Sequence, residues 1–112
     1  MKGFYAFENL IYHADQSETE TFDEIEMRDA FANSLKKIRE YCRLTMIKLA
    51  EEIDIPQPTI CCYETKTRTP SILQAIKITA YFGLTVEEFI LCGLEKLPYD
   101  IIELYERRNK GL

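Results

Sequence analysis

From Phe31 onward the apolar residues recur at helical spacing, and nothing in residues 31–112 alternates with the period of two that a half-buried strand shows. That limits the body of the chain to helices. Phe31, Leu35, Ile38 and Cys42 fall three or four apart, while Lys36, Lys37, Arg39 and Glu40 fill the opposite face. Thr45 is placed as the N-cap of a second helix, TMIKLAEEI, which turns Leu49, Ala50, Ile53 and either Met46 or Ile47 inward. A third helix begins inside IPQPTICCYE. Pro70-Ser71 leads into a fourth, SILQAIKITAYF, with Ile72, Leu73, Ile76 and Ala80 on one side, and Gly83 closes it as a C-cap. Thr85 caps a fifth, VEEFILC, ended by Gly93. Pro98, at a first-turn position, opens a last helix, YDIIELYERR, whose apolar face is Ile101, Ile102 and Tyr105.

Residues 1–30 are of another kind. They carry eight acids and two bases, a net −6, so that of the chain's −5 the remaining 82 residues come to +1. The global charge therefore says little about the body. DQSETETFDEIE reads as an acidic linker or arm, and Thr21 with Glu24 has capping-box spacing, which would start the next helix near Phe22. Before it, GFYAFENLIY fits a strand or a short helix. Three parts are expected: an acidic extension over 1–30, a body over 31–97 and a C-terminal helix over 98–112. No apolar run approaches the ~20 residues that cross a bilayer, and the start lacks the apolar stretch of a signal peptide. A cytoplasmic protein with no membrane contact is expected. Cys42, Cys61, Cys62 and Cys92 show no CxxC spacing, and His13 is far from them in sequence, so no metal and no cofactor are expected and the thiols read as small packing groups.

Two short helices joined by a tight turn match a helix-turn-helix. Ala50 is small where such helices cross. Asp54 falls at the turn, where a left-handed backbone is often needed and Asp tolerates it. Leu49, Ile53, Ile55, Ile60 and Tyr63 supply the shared apolar seam. The ordered set Leu35…Arg39, Leu49-Ala50, Ile60, Tyr63-Glu64 and Pro70-Ser71 followed by Leu84-Thr85 resembles the Cro/Xre-type helix-turn-helix family of phage repressors and bacterial regulators, over about residues 31–92. The resemblance implies an all-α, five-helix, lambda-repressor-like bundle, here with the acidic extension and an extra C-terminal helix. It also implies that the third helix starts near Pro56, so both prolines fall in its cap and first turn, where backbone N–H groups have no intrahelical partner.

Family members set this third helix in the DNA major groove. Carried onto this chain, the base readers would be Gln57, Pro58, Thr59 and Cys62. A glutamine can pair with adenine N6 and N7, and a threonine or proline can meet a thymine methyl. Phosphate contacts would come from Arg43, Thr45, Lys48, Lys66, Thr67 and Arg68. Met46 departs from the pattern, standing where many relatives have a phosphate-binding glutamine. Cys61 and Cys62 replace polar or basic residues, with Cys61 expected to pack and Cys62 to be the more exposed. Glu64 is expected to pair with an arginine such as Arg39. The function implied is a sequence-specific transcriptional regulator that binds double-stranded DNA as a homodimer, with Ile101, Ile102 and Tyr105 as the dimer face. The alternative is a protein-binding module of the same fold, such as an antitoxin, an antirepressor or an anti-defence protein of a mobile element. No nucleophile–base pair, phosphate loop or metal cluster suggests an enzyme.

Overall fold

The computed structural model describes residues 23–110. The expected helix or strand over GFYAFENLIY and the capping role of Thr21 lie outside the described residues. Within them the chain is all-α: α1 (Glu24–Tyr41), α2 (Met46–Ile53), α3 (Gln57–Glu64), α4 (Ile72–Tyr81), α5 (Val86–Gly93) and α6 (Ile101–Lys110). No described helix is long and apolar enough to cross a membrane.

The first helix starts earlier than the boundary drawn before Phe31. Asp23 accepts the Ile25 N–H as its N-cap, Glu24 and Glu26 place negative charge in the first turn, and Met27 and Ala30 are already buried. Residues 24–30 therefore belong to the body, because their inward side chains join its core. α1 packs along α5 and also meets α3 and α6. Phe31 and Phe89 touch with ring centroids 5.2 Å apart, and the buried Ser34 hydroxyl donates to the Phe89 carbonyl at 2.7 Å. Gly93 ends α5 as expected, but its reason is packing: a Cβ there would lie 2.3 Å from the Ala30 carbonyl oxygen. Only a residue without a side chain lets the two backbones approach so closely.

The caps read from the sequence are in place. Thr45 accepts the Lys48 N–H and Thr85 forms a reciprocal capping box with Glu88, while Ser71, not singled out as a cap from the sequence, accepts the Gln74 N–H. Gly83 closes α4 at φ 74°. Among the described residues four that are not glycine, Arg43, Asp54, Lys66 and Glu95, take left-handed backbones with φ near 60°.

Two expectations are overturned. On α4 the inward residues are Ala75, Ile78 and Thr79, continued by Phe82, whereas Ile72, Leu73, Ile76 and Ala80 are exposed. The helix carries more apolar side chains than one face holds, and the stripe that meets α5 and α2 contains the smaller Ala75 and Thr79, which allow close approach. The last helix does not begin at Pro98. Asp100 caps it, accepting the Glu103 N–H at 2.9 Å while Glu103 accepts the Asp100 N–H at 3.1 Å. The bond from the Glu103 N–H is the main force holding the Asp100 carboxyl below its ordinary range, with Lys37 adding to it. Of the apolar face expected on α6, Ile101 is in the core together with Leu104, while Ile102 and Tyr105 are half-buried and pack against it, Tyr105 meeting Phe82 at 6.4 Å.

Candidate nucleic-acid interface

α2 and α3 share the seam that the sequence indicates. Leu49, Ile53, Ile55, Ile60 and Tyr63 are all buried. Asp54 sits at φ 58°, ψ 48°, and both its N–H and that of Ile55 return to the Ala50 carbonyl, so the chain reverses within one residue. Pro56 is the N-cap of α3, and its carbonyl accepts the Thr59 and Ile60 N–H groups at 3.0 and 3.1 Å. Pro58 lies in the first turn, where no N–H is missed. The prolines thus fix the start of the helix and do not break it.

The side of α3 away from the seam carries Gln57, Pro58, Thr59, Cys61 and Cys62. Pro58 is exposed and the other four are half-buried. The contrast expected between a packing Cys61 and an exposed Cys62 is absent; both thiols are free and half-buried alike. Gln57 donates one amide proton to the Met46 thioether at 3.8 Å. Met46, the departure from the family pattern, thereby steadies Gln57 from the start of α2. The second amide proton and Oε1 remain for an outside partner, which is the pair of groups that adenine N7 and N6 require.

Thr45 and Lys48 stand at the start of α2, the end that this contact ties to Gln57. The Thr45 hydroxyl oxygen accepts the Lys48 N–H and keeps its own proton for an external acceptor. Lys48 is exposed and paired with Glu52 at 3.3 Å, a surface pair weak enough for a phosphate to displace. Arg43 is exposed in the loop before α2. Lys66, Thr67 and Arg68 stand at the far end of α3, about 12 Å along a helix of this length. There the Thr67 hydroxyl donates to the Cys62 carbonyl at 3.1 Å, so its proton is already used in closing the helix. Lys66 and Arg68 carry the charge of that loop. Thr65, not singled out from the sequence, closes the same helix end by donating to the Cys61 carbonyl at 2.8 Å. Ile47, left open against Met46, points outward at 62% exposure between Thr45 and Lys48. Hydroxyls after a helix and a second apolar residue at a helix start are signals the sequence did contain.

One ion pair holds these parts together. Arg39 donates two N–H groups to Glu64, at 2.6 and 2.9 Å, and a third to the Leu44 carbonyl at 2.6 Å. The hydrogen bond to Glu64 is the main cause of Arg39 being held above its ordinary pKa, so it stays charged. Glu64 is the end of α3 and Leu44 lies in the loop carrying Arg43, so one guanidinium positions both. Tyr63 hydrogen-bonds Gln74 and ties α3 to α4; burial pushes its phenol up, against a lowering by Arg68.

A family profile described as helix-turn-helix matches residues 35–89. No curated protein and no solved structure gives a significant match.

Proposed function

Residues 35–89 belong to the Cro/C1-type helix-turn-helix family, and from that premise we propose that the chain is a sequence-specific transcriptional regulator that binds duplex DNA as a homodimer. The observation that carries this reading is the first turn of α3: Pro58 is exposed with Gln57 and Thr59 half-buried beside it, and Gln57 is held by Met46 with its adenine-pairing groups unused. Phosphate contacts from Arg43, Thr45, Lys48, Lys66 and Arg68 would fix the register, and the base edges would be read from α3. Thr67 contributes by shaping the loop, since its proton is engaged.

Selection from random duplexes at low salt is expected to enrich a paired half-site. Gln57→Ala should cost about 1–3 kcal/mol at one operator position and little elsewhere. Lys66→Ala or Arg68→Ala should weaken all sequences alike and flatten the salt slope by about one contact each. Absence of any enrichment overturns the reading.

The exposed side of α3 carries no charge, and this favours a second reading in which the same surface binds a protein, as an antitoxin, antirepressor or anti-defence protein would. In that case binding to a partner protein would depend on Gln57 and Thr59, while binding to DNA would be nonspecific or absent.

A further inference from the structure

The reading helix lacks the groups that recognise guanine and cytosine. In the major groove guanine offers two acceptors, met most often by arginine or lysine, and cytosine offers a donor that a carboxylate accepts. α3 contains no arginine, lysine or aspartate, and its one glutamate, Glu64, is buried against Arg39. Lys66 and Arg68 follow the helix, about 12 Å from its first turn, whereas the N-terminal residues of such a helix meet the base edges. What the outer side of α3 offers instead is one amide, at Gln57, and a row of weakly polar and apolar groups. Pro58 is exposed, Thr59 and Cys62 are half-buried, and the first two stand four and three residues before Cys62, on its side of the helix. Another apolar group stands at the start of α2. Met46 holds Gln57 there at 3.8 Å, and the next residue, Ile47, is 62% exposed. A large apolar side chain is thus left in solvent at the end of α2 that is tied to the reading turn.

We propose that the half-site is A·T-rich and is read chiefly through its thymine 5-methyl groups, by Pro58, Thr59 and Cys62 at its centre and by Ile47 at its edge; this deepens the DNA reading above and rests on it. Gln57 supplies the one amide, which pairs with adenine, and thymine C5 carries the one methyl group that a base pair presents in the major groove. An apolar side chain against that methyl removes apolar surface from water. The same side chain against a G·C pair strips water from guanine O6 and N7 and cytosine N4 and gives them no partner. Discrimination therefore comes from that cost as well as from the attraction. The absence of charge on the outer side of α3 is what this mode of reading requires.

The test takes the enriched duplexes and replaces thymine by uracil one position at a time, which deletes the methyl and keeps the base pair. Wild-type affinity should fall about fourfold at each methyl that is met, the worth of one buried methyl group. Thr59→Ser removes a methyl and keeps the hydroxyl, so it should lose the response to uracil at one position and keep it elsewhere. Ile47→Ala should lose it at a different position, nearer the edge of the half-site, with an unchanged melting temperature because the side chain is exposed. A G·C-rich half-site, or one bound equally well with uracil throughout, overturns the proposal and leaves the DNA reading standing. A response to uracil that persists unchanged in both variants assigns it to the stiffness of the duplex and overturns the proposal as well. Enrichment of no duplex at all overturns this inference together with the DNA reading.

Discussion

Glu64→Ala is expected to destabilise the fold by about 3–5 kcal/mol, because it leaves a buried guanidinium without its counter-ion. The side chain of Glu64 is 2% exposed and that of Arg39 10%, so solvent cannot replace the lost carboxylate. Urea unfolding should show a lower midpoint with an unchanged slope. The double variant Arg39→Met/Glu64→Met should recover much of the loss, since two apolar side chains leave no charge stranded. A loss below about 1 kcal/mol, the size of an exposed pair, would mean that the bridge is not buried as described. The single variant should also loosen the loop carrying Arg43, because the guanidinium loses the partner that aims it at the Leu44 carbonyl.

Gly93→Ala is expected to cost about 3 kcal/mol, toward the upper end for overpacking, since the colliding atom is backbone. The added carbon would lie 2.3 Å from the Ala30 oxygen and 2.7 Å from its carbonyl carbon, so α1 and α5 must separate. For a domain of this size that is a fall of roughly 10–20 °C in melting temperature. Gly83→Ala is the control. Nothing lies within 4 Å of a Cβ at Gly83, so its cost comes from φ 74° alone, roughly 1–2 kcal/mol. Equal losses for the two variants would show that α1 and α5 yield at Gly93 without resistance.

Features set by a few neighbouring residues were legible in the sequence: the caps at Thr45 and Thr85, the left-handed Asp54, the prolines at the start of α3, and the seam from Leu49 to Tyr63. The Arg39–Glu64 pair was accessible through the family resemblance. The rest depended on distant packing. On α4, apolar residues at 72, 73, 75, 76, 78 and 80 satisfy two overlapping stripes, and the larger side chains pointed to the wrong one. The choice was made by α5 and α2, which accept the stripe with Ala75 and Thr79. On α6, periodicity found an apolar face but could not tell which surface takes it. The body does, through Phe82 and the core around Ile101. For the interface, the sequence proposed the residues but not the state of their protons: the Thr67 hydroxyl is occupied, and Met46 holds Gln57.

The four left-handed residues other than glycine among those described bear on how firm this fold can become. Arg43, Asp54, Lys66 and Glu95 each hold a backbone that disfavours a side chain by roughly 1–2 kcal/mol, with Asp the most tolerant. Together they withhold an amount comparable to the net stability of a small domain. The melting point is thus limited by turns as well as by the core, and a glycine at Glu95 would raise it. At Arg43 and Lys66 the same substitution would also remove a proposed phosphate contact. Rigidity of the folded chain and its hold on DNA therefore meet at two residues, where an increase in one is a decrease in the other.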